Sequence, residues 1–266
     1  AQDEIRIGKR LTLTAGLRYD DYSDSGDSLS PRIATVWRTS DRHIFKAQYG
    51  EAFRPPTLYE AGGYDLDPAT IETTEAGYIY KGARREARAT VFYSEIKDLV
   101  IYRSGTGYTN TSSARLHGAE LEASMHLNHR TRIGGNLSYV DSEDDSTGRP
   151  LAGSATWHGN LFGTYRPATG TRIDLRLRFL DEYHRHPTDP RDAADGYETL
   201  DLTASFDEPW SPQGWSAHAG VKNALDAEGR FPIPLASGST GDPVVTYNGD
   251  LPRPDRTWWL QLRYTY

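Results

Sequence analysis

Apolar and polar side chains alternate along most of the chain, and this period of two predicts β-strands. In the last ten residues, TWWLQLRYTY, one face is wholly apolar or aromatic and the other is mostly polar. An edge strand this hydrophobic would promote aggregation in an open soluble sheet, whereas a closed barrel pairs it. The alternation therefore predicts a transmembrane β-barrel strand with one face toward lipid. The residues of the apolar face are Trp258, Leu260, Leu262, Tyr264 and Tyr266.

The same alternation recurs often enough to predict twelve strands and a partial strand at residues 1–7. Short turns are expected at 39–42, 81–84, 128–131, 167–170 and 209–214. Long polar loops are expected at 21–28, 54–70, 104–114, 141–153, 184–196 and 223–256. From residue 39 onward, short and long connections alternate, so each kind lies at one end of an antiparallel meander. This predicts an all-β transmembrane barrel with periplasmic turns and extracellular loops.

Composition narrows the class of protein further. Hydrophobic residues are 36% of the 266 residues, below the roughly 45–50% of ordinary globular chains. This suits a wall of which only one face is apolar. No apolar stretch approaches the roughly 20 residues of a membrane helix. The net charge of −7 without a basic block argues against nucleic acid as a partner, and the absence of Cys excludes a thiolate metal site.

Five local sequences, in chain order, resemble motifs of TonB-dependent outer-membrane receptors. Residues 49–60 (YGEAFRPPTLYE) are similar to the family's "FRAP" segment, and residues 65–68 with Glu75 and Gly77 resemble its "NPNL-x-PE…E-x-G" continuation. Asn110 with residues 118–122 resembles "N…G-x-E", residues 220–226 resemble "V-x-NLFD", and residues 254–266 resemble the closing "GR…Y-x-F". The terminal pattern also resembles the signal by which outer-membrane barrels are recognised by the insertion machinery.

The resemblance implies a barrel of about 22 strands with a plugged lumen. Residues 1–266 would then be the C-terminal portion of that barrel, without the plug domain and the N-terminal strands. The implied function is TonB-dependent import across the outer membrane. A ferric siderophore is the first expectation for the solute and cobalamin is the second. The implied partners are outer-membrane lipid and, through the plug, the TonB complex. No cofactor and no catalytic residue are expected.

Candidate ligand-binding residues lie in the loops and on the polar faces. The loop tyrosines offer ring stacking and hydroxyl contacts, or else they pack the loops together. The polar-face arginines at 172, 176 and 178 could meet an anionic solute or an acidic plug surface, or else they pair with neighbouring strands. Arg54 precedes Pro55 and Pro56 and could instead anchor its loop. The ligand-binding candidates are Arg54, Tyr59, Tyr64, Tyr102, Tyr108, Arg176, Arg178 and Tyr247.

Metal and haem sites have weaker support. His184 and His186 lie in one loop without a third ligand at fixed spacing, so no metal site is predicted. The acidic loop 141–145 could bind Ca²⁺, but solvated charge is the simpler interpretation. Haem receptors of this family have a similar pattern, with a His between the "FRAP" segment and the "NPNL" segment. Residues 57–65 contain none, which argues against haem.

Two other classes of protein fit parts of the pattern. One is a smaller, self-closing outer-membrane barrel that acts as a passive pore or an adhesin. The other is a soluble β-sandwich that binds carbohydrate, in which a second protein layer would cover the apolar faces. An enzyme is not expected, because nothing resembles a nucleophile elbow, a zinc motif or a phosphate loop.

Overall fold

The computed structural model describes residues 1–22, 26–103, 105–185, 189–207, 214–233 and 249–265, with the side chains at 103 and 111 excepted. Within these ranges the chain is all-β. Thirteen strands form one antiparallel meander in the order β1 to β12 and then β15, and β13 pairs with β14 in a separate small sheet. No helix in the described part is long and apolar enough to cross a membrane. The strands are β1 (Gln2–Ile7), β2 (Leu11–Tyr22), β3 (Gly26–Arg38), β4 (His43–Arg54), β5 (Ala69–Lys81), β6 (Arg85–Arg103), β7 (Gly107–His126), β8 (Thr131–Asp144), β9 (Trp157–Tyr165), β10 (Thr171–Leu180), β11 (Tyr197–Phe206), β12 (Trp215–Lys222), β13 (Arg230–Phe231), β14 (Leu251–Pro252) and β15 (Thr257–Tyr264).

The predicted all-β meander is confirmed, and the thirteen strands of its sheet are the twelve expected from the alternation plus the partial one. Two predicted loops are wrong in extent. β2 continues to Tyr22 and β3 already begins at Gly26, and β7 begins at Gly107 rather than after residue 114. Gly, Ser, Thr and Asn dominate these stretches and resemble loop composition. Pairing with the neighbouring strand overrides that local preference.

Strand register places apolar side chains on the same face of the sheet from its first strands to its last. Leu11 lies opposite Trp37 near one edge, and Ala219 lies opposite Leu260 at the other. We call this side the apolar face and the opposite side the polar face. Trp258 and Leu260 are 74% and 70% exposed. In the described part of the chain no second protein layer covers them, as a soluble β-sandwich would require. β1 and β15 do not pair with each other there, so the sheet is open.

Aromatic side chains gather at both ends of the apolar face. At the short-turn end, the Phe45 ring lies 5.1 Å from that of Tyr78, and the Trp215 ring lies 5.1 Å from that of Tyr264. At the end that carries the long loops, the Tyr139 and Trp157 rings are 4.8 Å apart. Aromatic girdles on either side of an apolar band are typical of strands that cross an outer membrane.

On the polar face, three large rings lie directly opposite glycines. A Cβ built on the glycine would come within 2.6–2.8 Å of the ring, closer than real contacts allow. Only glycine therefore lets each ring lie down over the neighbouring strand. The pairs are Phe92 with Gly118, Phe162 with Gly134, and Trp259 with Gly220.

Candidate functional site

The loop between β4 and β5 is fixed at its start by an ion pair. Arg54 donates to both carboxylate oxygens of Glu60, at 3.0 and 3.3 Å. The Thr57 amide donates to the same carboxylate at 2.7 Å. The Arg54 guanidinium, followed by the Thr57 amide, lowers the pKa of Glu60 to about 2. Arg54 therefore closes this turn, as the loop-anchoring alternative expected, and ligand contact by Arg54 stays a prediction.

Asn110 holds the far end of the same loop. Its Nδ2 donates to the carbonyls of Asp67 and Asp98, at 2.9 and 2.7 Å, and its Oδ1 accepts the Asp67 amide at 2.8 Å. Asp98 is a non-glycine residue with a positive φ of 56°, at a β-bulge where the β6–β7 register shifts. The motif asparagine thus joins the 55–68 loop to the extended β6–β7 hairpin.

Four of the tyrosines proposed as ligand contacts meet at this junction. Tyr108 is central, with its ring 6.0, 5.9 and 5.3 Å from the rings of Tyr59, Tyr64 and Tyr102, all edge-on. Gly107, at φ +82°, makes room for Tyr64, because a Cβ there would lie 2.2 Å from the Tyr64 hydroxyl. We call these four residues the tyrosine cluster.

The tyrosine cluster keeps much of its surface open. Tyr59 is 79% exposed and its neighbour Leu58 is 83% exposed, at the turn that Arg54 and Glu60 close. Tyr102 and Tyr64 are less exposed, at 49% and 39%. Ring edges and hydroxyls presented in this way can stack on a planar ligand and donate hydrogen bonds to it.

A second group of side chains joins the loop after β10 to the loop after β12. Arg185 Nη1 donates to Asp250 Oδ1 at 3.0 Å, and a second Arg185–Asp250 bond lies beside it. Arg191 binds Asp189 at 2.6 Å and approaches Asp250 at 3.4 Å. The Arg185, Asp189 and Asp250 side chains are each 10% exposed or less. We call these four residues the ionic network.

Charge pairing in the ionic network favours the ionised carboxylates. The Arg191 guanidinium lowers the pKa of Asp189 to about 2. Hydrogen bonds from Arg185 likewise lower the pKa of Asp250. Because both pKa values are lowered, Asp189 and Asp250 are ionised at neutral pH.

The ionic network extends into the small β13–β14 sheet. Asp250 accepts the Ile233 amide at 3.2 Å, and Arg191 donates to the Ile233 carbonyl at 2.6 Å. Next to it, the Arg253 guanidinium lies between the rings of Tyr197 and Phe231, 3.6 and 3.9 Å from their centres. The loops after β10 and β12 are therefore held together as one unit.

The comparison with known families agrees with this architecture. A family model described as TonB dependent receptor-like, beta-barrel, matches residues 1–224. The chain belongs to the TonB-dependent receptor β-barrel family. The antiparallel meander and the ordered motifs are thereby explained as parts of one receptor wall, and the polar face is the face toward the lumen.

Three curated relatives are named for solute uptake or utilisation, and none of the three is named as an enzyme. Heme/hemopexin utilization protein C of Haemophilus influenzae is 23% identical over 249 residues, covering 75% of this chain and 35% of the relative. Ferric enterobactin receptor PirA of Pseudomonas aeruginosa is 26% identical, covering 57% and 25%. Vitamin B12 transporter BtuB of Vibrio cholerae is 24% identical, covering 96% and 40%. The chain thus spans 25–40% of the length of these relatives.

Solved structures show the same fold. The ferric enterobactin receptor PfeA of Pseudomonas aeruginosa superposes with a TM-score of 0.82 at 20% identity, covering 100% of this chain and 44% of PfeA. The siderophore receptor PirA of Acinetobacter baumannii gives 0.81 at 18% identity, covering 100% and 45%. The sheet described here is the kind of wall found in TonB-dependent receptor barrels.

The lumen-face arginines of β10 differ from one another. Arg178 donates to Asp201 at 2.8 Å, and Arg172 lies 2.7 Å from Asp174. Both therefore pair within the wall, as the alternative to ligand contact expected. Arg176 has no carboxylate within 4.0 Å in the described part of the chain.

The remaining sequence-predicted residues are separate from the loop sites. Four residues of the predicted insertion signal lie on the apolar face of β15, and their recognition by insertion machinery stays a prediction. Tyr247, Tyr266 and His186 lie outside the described residues. His184 Nε2 lies 3.2 Å from the Thr156 hydroxyl. In the described ranges no group of three or more His, Asp or Glu side chains could hold a metal ion. The four β15 residues are Trp258, Leu260, Leu262 and Tyr264.

Sequence reasoning missed the ionic network and Arg253. Arg185 carries no motif of its own, and its carboxylate partner Asp250 lies 65 positions away. Opposite charges in two long loops were the available signal. Many loops carry such charges, so the signal could not select this pair.

Proposed function

We propose that this chain forms part of the wall and extracellular loops of a TonB-dependent receptor that imports a ferric siderophore across the outer membrane. Residues 1–266 are the C-terminal portion of the barrel, and the plug and the remaining strands belong to the rest of the protein. The apolar face meets outer-membrane lipid, and the plug carries the contact with the TonB complex. The open edges of the sheet support this proposal over a small self-closing pore.

The convergence of the tyrosine cluster carries the proposal. Tyr59, Tyr64, Tyr102 and Tyr108 come from two different connections, yet they form one exposed aromatic surface at the rim of the long loops. Such a surface suits a ligand with flat aromatic groups, such as a catecholate chelate of iron. Two of the similar proteins, PirA and PfeA, are named as ferric enterobactin receptors.

Cobalamin is the second candidate solute. The Vibrio cholerae BtuB match extends over 96% of this chain, against 57% for Pseudomonas PirA. A corrinoid also presents a broad flat surface to aromatic rings. Haem stays disfavoured by the missing His at 57–65, although one relative is named for haem utilisation.

The test uses the full-length receptor and a panel of labelled ferric catecholate and hydroxamate siderophores, cyanocobalamin and haem. We expect TonB-dependent uptake of one class of compound, the ferric siderophores. Tyr59→Ala should weaken equilibrium binding of that class several-fold. Because Tyr59 is largely exposed, this substitution removes only its edge contact with Tyr108 and leaves the hydrogen bonds at the base of the cluster in place. Leu127→Ala removes a 50% exposed side chain at the short-turn end and is the matched control.

Three outcomes separate the possibilities. Uptake of cyanocobalamin alone would replace the siderophore with the second candidate. Uptake of no compound in the panel would contradict import. Binding that is unchanged in both Tyr59→Ala and Tyr102→Ala would remove the tyrosine cluster from the ligand site.

A further inference from the structure

The lumen face of β10 carries three arginines, and among the described residues only two of them pair with a carboxylate, Asp174 of the same strand or Asp201 of β11. Its two ion pairs, Arg172 with Asp174 and Arg178 with Asp201, lie on either side of Arg176. Arg176 is directly opposite Asp201 in register. The Asp201 side chain nevertheless binds Arg178, so register alone does not provide Arg176 with a partner.

Both carboxylates are already oriented by other partners. Asp174 accepts Arg172 on one oxygen and the Thr164 hydroxyl, at 2.7 Å, on the other. Asp201 accepts Arg178 on one oxygen and the Asn223 amide, at 3.0 Å, on the other. Neither carboxylate, as these bonds orient it, lies within 4.0 Å of the Arg176 guanidinium.

Arg176 borders a hollow of about 530 Å³ in the lumen wall. The rings of Phe162 and Trp259, the hydroxyls of Thr164 and Thr203, and the paired side chains of Arg172, Asp174 and Asp201 also line this hollow. Among the described side chains of this hollow, the Arg176 guanidinium has no carboxylate partner, and Arg binds a carboxylate through two parallel hydrogen bonds. On the same face, Lys222 and Arg263 also have no carboxylate within 4.0 Å among the described residues.

We propose that Arg176 receives a carboxylate side chain of the polypeptide that fills the lumen of the complete receptor. Barrels of about 22 strands in outer-membrane transporters are plugged. Once the lumen is filled, an unpaired Arg176 would be a buried charge, which is costly unless an anion meets it. The proposal rests on the proposed function only in requiring a plugged barrel.

The position of Arg176 favours a polypeptide over a free solute. It lies midway along β10, between Thr171 at the short-turn end and Leu180 at the long-loop end. The tyrosine cluster, by contrast, lies at the rim of the long loops. A solute held at the rim does not reach mid-depth before the lumen opens, whereas a plug occupies that depth at rest.

The test measures ion conductance of the full-length receptor in planar bilayers. Arg176→Glu should raise the resting conductance several-fold, because like charges then face each other and loosen the plug. Arg176→Gln should raise it less, and Arg176→Lys should stay close to the unmodified receptor. Arg84→Glu, a charge reversal in the short turn between β5 and β6, is the matched control and should change nothing. Heat-modifiable migration of each variant confirms that its barrel has folded.

The proposal is overturned by resting conductance that is unchanged in both Arg176→Glu and Arg176→Gln. An unmodified receptor that already conducts freely overturns it too. Calorimetric binding of inorganic phosphate that Arg176→Glu abolishes, without a rise in conductance, would assign the hollow to a free anion instead. No siderophore enters these measurements, so failure of the solute assignment and failure of this proposal are distinguishable.

Discussion

The two described loop systems of the receptor rim are built in opposite ways. At the β4–β7 side, the tyrosine cluster is held by hydrogen bonds at its base and keeps its rings exposed. At the β10–β15 side, the ionic network buries its charges and directs them at one another. Charges that satisfy each other hold the loops but have little capacity left for a ligand. This difference supports our proposal that the tyrosine cluster contacts the ligand, whereas the ionic network holds the loops together.

The largest effect is expected from removal of Asp250, the carboxylate that Arg185 and Arg191 share. Asp250→Ala leaves Arg185 and Arg191 partly buried without it, and loss of one partner of a buried pair costs on the order of 3 kcal/mol. Hydrogen exchange should show faster opening of the amides at 183–185, 189–194 and 229–233. Asp255→Ala, at an exposed carboxylate nearby, should leave these rates unchanged. Equal exchange in both variants would show that the network does not hold the loops.

Asn110→Ala tests the base of the tyrosine cluster. It removes three hydrogen bonds that hold Asp67 and Asp98, at a cost of about 2 kcal/mol. Ligand binding should weaken, because Tyr59 and Tyr64 lose their fixed distance from Tyr108. Asn128→Ala removes comparable turn bonds to Arg130 and Thr131 at the opposite end. Titration calorimetry should show loss of affinity only for the former, and equal affinities would contradict the assignment.

Lowering the pH should have a smaller effect on the stability of the loops that the ionic network joins. The pKa of Asp189 in the folded chain is about 2, lowered from an ordinary value of 3.8, and that of Asp250 is lowered too. Their contribution to loop stability is therefore fully present above pH of about 4 and is lost as pH falls toward about 2. The hydrogen-exchange protection factors of the amides at 183–185 and 189–194 should therefore be the same at pH 7 and at pH 5. Loosening already at pH 6 would contradict this window.

The smallest effect should come from Tyr59→Phe, which keeps the ring and removes only the hydroxyl. If stacking dominates, affinity should fall less than twofold, far less than in Tyr59→Ala. If both variants lose the same affinity, the hydroxyl rather than the ring recognises the ligand. Equilibrium titration of the receptor with its ligand distinguishes the two cases.

Much of this fold could be predicted because alternation fixes both strand and face. The Ile173, Leu175, Leu177 and Phe179 series shows this best, and the register with β11 places apolar residues opposite the first three of them. The start of β7 was missed, because its Gly, Ser and Asn residues adopt strand geometry only through pairing with β6. The tyrosines could be proposed one by one. Their convergence depends on Asn110, whose bonds span 43 positions and leave no local pattern.

The rings that lie over glycines on the lumen face bear on how wide the passage can be. Phe92, Phe162 and Trp259 spread along the wall instead of standing upright in it, so aromatic surface lines the channel without narrowing its bore. A Cβ at Gly134 would lie 2.6 Å from the Phe162 ring and 2.7 Å from the Ala123 carbonyl oxygen, so both the ring and the strand backbone would have to move. The glycines of the wall therefore set how far its aromatic side chains project from the lumen face.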